Sequence, residues 1–163
     1  MASELQGRRG LIVGIANDQS IAWGCAQACH AAGAELALTW LNDKARPHVE
    51  PLATQVGAVL QLPLDVEQPG QLEAVFEAIA RQWGGLDFLV HSIAFAPKAD
   101  LMGRVVDTSA AGFARAMDIS CHSFLRMARL AEPLMTQGGS LVTMSYLGAE
   151  EVVPSYGLMG PVK

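Results

Sequence analysis

The sequence predicts an α/β fold built as a Rossmann-like, doubly wound parallel sheet. Short runs of β-branched and aliphatic residues alternate with longer stretches of helical period, which is the pattern of βαβ units packed into one parallel sheet. The 163 residues, 51% of them hydrophobic, suffice for one sizeable core but not for two. We therefore predict a single domain over residues 1–163, with its functional residues at the carboxyl ends of the strands.

Five strands are predicted in alternation with helices. The strands are expected at 10–14, 35–40, 58–64, 86–92 and 139–145. The helices are expected at 20–32, at 69–83, at 109–135, and from Tyr156 to Lys163. A further helix, broken or delayed by Pro47, is expected before the third strand. Gly33 and the Gly84–Gly85 pair supply helix ends, and Pro69 suits the first turn of a helix.

The composition argues against several classes of partner. A net charge of −5 gives no general attraction to phosphate backbones or anionic lipid, so we expect neither nucleic acid nor a membrane surface. Without a hydrophobic signal region or a run of about 18 apolar residues, the chain is expected to be cytoplasmic. Cys25, Cys29 and Cys121 are too few for a disulfide framework and lack a second ligand pair, so we expect buried thiols and no metal site.

The turn after the first strand is the first candidate for cofactor binding. Gly14, Ser20 and Ile21 lie between a strand and a helix N-terminus, where free backbone N–H groups and the helix dipole favour a pyrophosphate. The turn is not a full G-x-G-x-x-G motif, although Gly24 inside the helix suits close packing. A plain turn with Ser20 as the helix N-cap therefore stays open as the alternative.

Two further strand ends carry charged residues. Asp65 follows the third strand and suits a hydrogen bond from an adenine amino group, but it equally suits the cap of the next helix. After the second strand, Asp43 comes late for a ribose hydroxyl and Arg46 lies nearby in the sequence. The choice between NADH and NADPH therefore stays open.

Tyr156 and Lys163 form the most informative pair in the sequence. They lie seven residues apart, and at about 3.6 residues per turn this spacing puts both side chains on nearly the same helix face. Such a pair suits proton donation and stabilisation of an oxyanion, with the lysine charge holding cofactor hydroxyls and favouring the phenolate form of the tyrosine. By spacing alone, an ordinary surface helix explains the pair better.

Four stretches, in the same order along the chain, resemble the bacterial enoyl-[acyl-carrier-protein] reductases, an atypical branch of the short-chain dehydrogenase/reductases. They are GIA with SIAWG within 14–24, GAELA at 33–37, HSIAFAP at 91–97, and SYLGAE at 145–150 followed by Pro154, Tyr156, Met159, Gly160 and Lys163. Ordinary short-chain dehydrogenases use Tyr-x-x-x-Lys, whereas this branch has six residues between the tyrosine and the lysine, as here. The resemblance makes a surface helix the weaker explanation.

The resemblance implies reduction of the trans-2 double bond of an acyl chain carried as a thioester on acyl carrier protein, in fatty acid biosynthesis. Hydride from NADH, with NADPH not excluded, goes to C3, and a hydrogen bond from Tyr156 stabilises the enolate oxygen. Lys163 is implied to hold the nicotinamide ribose, and Tyr146 to line the pocket near the thioester. Whether Tyr146 or Tyr156 relays the proton stays open.

The remaining site residues also come from the resemblance. It places Gly14, Ser20 and Ile21 at the pyrophosphate, Asp65 and Val66 at adenine, Ile93 near the ribose and Ala96 at the substrate. Family members form homotetramers and continue well beyond the Tyr-Lys helix. The resemblance thus implies one dinucleotide-binding domain truncated after the start of that helix, with a sheet incomplete at its C-terminal side. A non-catalytic nucleotide-binding fragment is the alternative function, and a reductase of ketones or coenzyme A thioesters is the second.

Overall fold

The computed structural model describes residues 3–163, and these form two compact units. The first unit comprises the chain up to Ser92 together with Met127–Thr143. The second comprises Ile93–Arg126 and Met144–Lys163. The single domain expected from the chain length stays a prediction.

The first unit contains a five-stranded parallel sheet. Its strands are β1 at Arg9–Val13, β2 at Glu35–Trp40, β3 at Leu60–Pro63, β4 at Phe88–His91 and β5 at Ser140–Thr143. Their order is β3-β2-β1-β4-β5 with every neighbouring pair parallel, so the direction of winding reverses between β1 and β4. The predicted doubly wound sheet is confirmed, and every strand end lies within two residues of its predicted position.

The centre of this sheet is buried. Leu11, Ile12 and Val13 of β1 are fully buried, and so is Leu89 of the neighbouring β4. A strand buried on both faces reads as a continuous apolar run, which explains why β1 shows no alternation of polar residues. β5 is the opposite case, because all four of its residues are exposed.

Gly10 of β1 pairs directly with Phe88 of β4. The Phe88 ring covers Gly10 so closely that a β-carbon at that position would collide with three atoms of the ring. Glycine inside a strand commonly marks such a close approach. One aromatic side chain therefore fills the space of two positions at the centre of the sheet.

Three helices of the first unit follow their sequence signals. They are α1 at Ile21–Ala31, α2 at Arg46–Gln55 and α3 at Gln71–Trp83. α2 begins one residue before Pro47, where a missing N–H costs no helical hydrogen bond. α3 ends at Gly84, whose φ of 67° is left-handed, as the glycine pair predicts. Its buried residues recur at helical spacing: Leu72, Val75, Phe76, Ile79 and Trp83.

The second unit is mostly helical. It contains α4 at Lys98–Met102, α5 at Ala110–Met117, the beginning of α6 at Ser123–Ala131, and α7 at Met159–Val162. A π-helical segment at Asp118–His122 joins α5 to α6, so the single helix predicted over 109–135 is wrong in its interior. Just after this segment, the Ser123 hydroxyl donates to the Ile119 carbonyl oxygen at 2.6 Å and competes with the regular backbone pattern. At the far end Pro133 cannot donate, and a 3₁₀ turn replaces the α-helix.

The last predicted helix is wrong in its extent. α7 has four residues, so Tyr156 lies in the turn before it and Lys163 follows it. Ser155 has a φ of 63° and Gly157 a φ of 28°, and neither value fits a right-handed helix. Tyr156 and Lys163 therefore do not share a helix face. Over residues 3–163, no helix is long and apolar enough to cross a bilayer.

Candidate active site

Gly14 shapes the turn that follows β1. Its φ of 102° is a conformation that favours glycine, and a β-carbon there would collide with the carbonyl oxygen of Ser92, the residue after β4. The turn therefore needs glycine for two independent reasons. Gly24 is different, because outside the backbone of its own helix and its chain neighbours no described atom lies within 4 Å of the position its β-carbon would take, so its expected role in close packing is wrong.

Ser20 stands at the N-cap position of α1 but does not cap the helix with its side chain. Its hydroxyl oxygen instead accepts hydrogen bonds from the N–H groups of Ala16 and Asn17, at 2.9 and 3.1 Å. Ser20 is thus the N-cap residue of α1 by position, as the alternative of a plain turn predicts, but its side chain does not cap the helix. The first N–H groups of a helix have no intrahelical acceptor, so those of Ile21 and Ala22 are left for an anion from outside.

Asp65 follows β3 and is fixed by the turn that leads into α3. Its backbone N–H donates to the side-chain oxygen of Gln71 at 2.8 Å, and its carboxylate accepts the N–H of Glu67 at 2.9 Å. The N-cap of α3 is Gly70, so the alternative of Asp65 as a helix cap is wrong. Asp65 is half-buried next to the buried Val66, which gives its carboxylate a set orientation and access to a ligand.

Arg46 lies near the second strand, where a basic residue would favour NADPH over NADH, and its side chain already has partners. Its Nε lies 2.6 Å from a carboxylate oxygen of Glu50, one turn further along α2. Its guanidinium also lies 5.5 Å from the centre of the Trp40 ring. The carboxylate next to Arg46 offsets its attraction for a second anion such as a ribose phosphate.

Lys163 connects two loops of the second unit. Its Nζ donates to the carbonyl oxygens of Met144 at 2.7 Å and Ile93 at 3.1 Å, and the Ser145 hydroxyl donates to the carbonyl oxygen of Lys163 at 3.1 Å. Burial lowers the pKa of Lys163, and the nearby Cys121 raises it by less. Since an ammonium has three N–H donors, one remains for a ligand. Ile93 and Lys163, both predicted at the ribose, are in direct contact.

The two tyrosines of the chain lie side by side. The ring centroids of Tyr146 and Tyr156 are 4.6 Å apart, with the ring planes tilted by 59°. Burial raises the pKa of Tyr156, and Tyr146 raises it further, whereas Lys163 does not contribute. The lysine charge expected to favour a phenolate is not among the causes of this shift, and a tyrosine with a raised pKa is a neutral phenol that can donate a hydrogen bond at neutral pH.

Ala96 lies in the loop after β4, half-buried against a hydrophobic cluster. The cluster consists of Ala116, Leu158, Met159 and Val162. The preceding residue, Phe95, is held at its backbone by Ser120, whose hydroxyl accepts the Phe95 N–H at 2.9 Å and donates to the Phe95 carbonyl at 3.0 Å. Arg115 lies 4.6 Å above the Phe95 ring. The sequence did not predict this role for Ser120, because the direction of its side chain depends on the π-helical segment, which was not predicted.

A cavity of about 580 Å³ opens beside Tyr156, within the second unit. It is lined by residues 103–105, 148–157 and 160–161. Most of this lining is apolar, while Arg104, Glu150 and Glu151 contribute charged groups. The volume falls in the range of about 300–1,000 Å³ that is usual for small-molecule sites.

The three cysteines are free and half-buried rather than buried as expected. Burial raises the pKa of Cys29, and the neighbouring Cys25 raises it further. Within the described part of the chain, no three His, Cys, Asp or Glu side chains are grouped so that they could hold a metal ion.

Known proteins resemble the chain over nearly its whole length. It is 49% identical over 159 residues to "Enoyl-[acyl-carrier-protein] reductase [NADH] 1" of Rhizobium meliloti, which covers 98% of this chain and 58% of that protein. It is 46% identical to the corresponding NADH reductase of Rickettsia conorii, covering 98% of this chain and 61% of that one. The chain thus spans about 60% of the length of these relatives.

Solved structures show the same likeness in three dimensions. A crystal structure of the Anaplasma phagocytophilum reductase in complex with NAD has a TM-score of 0.95 and 48% identity, covering 100% of this chain and 62% of that one. The Bacillus cereus reductase, solved with NADP+ and indole naphthyridinone, has a TM-score of 0.94 and 42% identity, covering 98% and 63%. A family model described as "Enoyl-(Acyl carrier protein) reductase" matches residues 14–163. The chain belongs to the enoyl-[acyl-carrier-protein] reductase family.

Proposed function

We propose that the protein reduces the trans-2 double bond of an enoyl thioester on acyl carrier protein, with NADH as hydride donor, in fatty acid biosynthesis in the cytoplasm. The observation that carries this proposal is the neutral phenol of Tyr156, which lies beside Tyr146 and lines a largely apolar cavity. A phenol with a raised pKa keeps its proton at neutral pH. It is therefore suited to donate a hydrogen bond to an oxygen that gains negative charge during reduction.

The residues of the first unit fit the pyrophosphate and adenine of a dinucleotide. Gly14 leaves room that a side chain would fill, and the Ser20 hydroxyl is turned into the loop, which leaves the first N–H groups of α1 free near Ile21. We assign Gly14, Ser20 and Ile21 to the pyrophosphate, and Asp65 and Val66 to adenine. The Glu50 carboxylate on Arg46 favours NADH over NADPH.

The residues of the second unit fit the reacting end of the cofactor and the thioester. When bound, NADH would supply the hydride for C3 of the enoyl group, and protonation of the resulting enolate at C2 would complete the reduction. We assign the free N–H of Lys163, with Ile93 beside it, to the hydroxyls of the nicotinamide ribose. Because two carbonyl oxygens already orient this ammonium, little side-chain entropy is lost when it binds a ligand.

Tyr156 is assigned to the thioester oxygen. Its hydrogen bond strengthens as the enolate charge develops, so it stabilises the transition state more than the neutral substrate. We assign Tyr146, which contacts the Tyr156 ring, to the pocket near the thioester; it also raises the pKa of Tyr156, which keeps the phenol protonated at neutral pH. Ala96 is assigned to the substrate side, next to the cluster on which Tyr156 packs.

The test is oxidation of NADH by the purified chain with a crotonyl thioester, followed by absorbance. We expect turnover that falls about 100-fold or more in Tyr156→Phe, since the phenol hydrogen bond is lost and the ring is kept. NADPH in place of NADH is expected to support slower turnover, and an acetoacetyl thioester none. Reduction of the acetoacetyl thioester would indicate a ketone reductase instead.

A thermal-shift measurement separates the alternative function from the proposed one. At a concentration 100 times the Kd, a ligand that binds only the folded state adds about 2.7 kcal/mol to its stability. An NADH-dependent rise in Tm without any turnover on acyl thioesters would support a non-catalytic nucleotide-binding protein. Turnover that is unchanged in Tyr156→Phe would contradict the role given to this residue.

A further inference from the structure

The position of Tyr156 depends on what packs against its turn. Tyr156 precedes α7, so no helix fixes its backbone, and among the hydrogen bonds of residues 3–163 its phenol makes none. Its ring contacts Tyr146, which is itself 49% exposed and so offers only a partial support. A reaction that needs the phenol at one oxygen atom therefore requires support from elsewhere.

That support comes from α4. A β-carbon on Gly157, the residue after Tyr156, would collide with the Leu101 carbonyl oxygen and lie 3.1 Å from the carbonyl oxygen of Asp100. The Leu101 side chain packs against the same hydrophobic cluster as Tyr156. Because these contacts leave no free space, a shift of α4 moves the turn that carries Tyr156.

Asp100 in turn fixes α4 to the start of α5. Its Oδ1 accepts the backbone N–H of Ser109 at 2.7 Å, and its Oδ2 accepts the Ser109 hydroxyl at 3.2 Å. The Ser109 oxygen accepts the N–H of Gly112 at 3.0 Å, and a β-carbon on Gly112 would collide with the Asp100 carboxylate. A carboxylate at a helix N-terminus is stabilised by these N–H groups, whereas a five-residue helix such as α4 is not stable alone.

We propose that Asp100 is a positioning residue for Tyr156, because it holds α4, and with it Gly157, in the place that the phenol requires. This inference rests on the proposed function of Tyr156. The position of the Tyr156 phenol depends on the contact between Gly157 and α4. Asp100 acts through the backbone of α4, so its loss changes where the phenol lies and not which groups bind the cofactor.

The first readout needs no turnover. The chain contains two tyrosines, so labelling the phenol carbon of tyrosine with ¹³C gives two signals, which Tyr146→Phe assigns. We expect the Tyr156 signal to shift and broaden in Asp100→Ala and to do so less in Asp100→Asn, which keeps one oxygen acceptor. The matched control is Asp107→Ala, because Asp107 is an exposed residue of the same segment whose ion pair with Arg104 is 3.7 Å long.

The second readout is the split between kcat and KM. We expect kcat of Asp100→Ala to fall roughly 10-fold to 100-fold, with KM for NADH unchanged and an intermediate kcat in Asp100→Asn. A Tyr156 signal that is the same in Asp100→Ala as in the original chain overturns the inference, whatever the activity. A merely structural role would instead raise KM for NADH together with the loss of kcat, and that result would also overturn the inference. Absence of turnover in the original chain counts against the proposed function, whereas the signal of Tyr156 decides the inference separately.

Discussion

Two glycines ten residues apart show how differently the same residue type can be constrained. Gly14 has a positive φ and lies against the Ser92 carbonyl oxygen, so both its backbone and its missing side chain are needed. Gly24 has neither constraint, and as a helix-interior glycine it lowers stability through the entropy of the unfolded chain. Only the first of them is expected to matter for cofactor binding.

Alanine substitution at the two glycines separates these cases. We expect Gly14→Ala to lower the free energy of unfolding by about 2 kcal/mol or more and to weaken NADH binding, because the turn must move to relieve the collision. Gly24→Ala is expected to raise that free energy by about 0.5–1 kcal/mol and to leave NADH binding unchanged. Urea unfolding and titration with NADH measure both. Equal affinity of Gly14→Ala and the original chain for NADH would contradict the pyrophosphate assignment.

At the scale of elements, Asp87 joins the beginnings of β1 and β4. Its carboxylate accepts the backbone N–H of Arg9 at 2.8 Å and the Arg8 guanidinium at 2.8 Å. Partial burial raises the pKa of Asp87, but these hydrogen bonds and the charges of the two arginines together lower it by more. The carboxylate therefore stabilises the folded chain in its ionised form.

The pH dependence of stability tests this arrangement. Because the folded pKa of Asp87 is below the unfolded value of about 3.9, its contribution is present above that value and is lost as pH falls through the lowered pKa. We expect Asp87→Asn to lower the free energy of unfolding by about 1 kcal/mol at pH 7. The difference should vanish at acidic pH and shrink in an Arg8→Gln background. A difference in unfolding free energy between the two chains that stays constant from pH 7 to pH 3 would contradict the ionised role of Asp87.

The elements also show what could be predicted from the sequence. Strands and the helices α1 and α3 follow apolar periodicity and glycine ends, which are local signals, and they are where the sequence places them. The site residues beside strand ends, such as Gly14 and Asp65, follow from the same logic. The break after α5 does not, because the Ser123 hydroxyl and the π-helical segment leave no mark on the apolar pattern.

The Tyr156 turn is the clearest failure of a periodicity argument. The spacing to Lys163 suggested one helix, but the backbone at Ser155 and Gly157 is left-handed or nearly so, which ends any helix there. A single serine with positive φ has no reliable sequence signature. The residue that supports the turn, Asp100, lies more than 50 residues earlier, so only tertiary structure relates the two.

At the scale of the whole molecule, burial is very uneven along the sheet. β1 and β4 supply fully buried residues at its centre, whereas the four residues of the edge strand β5 are all exposed. Strands with few buried contacts open locally at lower free energy than the global unfolding reaction. The two kinds of strand should therefore differ in their exchange of amide hydrogens with solvent.

Hydrogen exchange followed by mass spectrometry measures this difference. We expect peptides that cover β5 to exchange at least about 10 times faster than peptides that cover β1. Leu141→Ala is expected to change stability by less than about 1 kcal/mol, whereas Leu11→Ala should cost about 2–5 kcal/mol. Equal protection of β1 and β5 would show that the exposed edge is as stable as the core.

The pairing of Gly10 with Phe88 has a consequence for how the sequence can change over time. Since the ring occupies the space above the glycine, a larger residue at position 10 is tolerated only with a smaller one at position 88. Either change alone meets a clash or leaves a void, and both are unfavourable in a close-packed interior. Residues 10 and 88 are thus expected to change together among descendants of this protein, so that the total volume of the two side chains stays nearly constant.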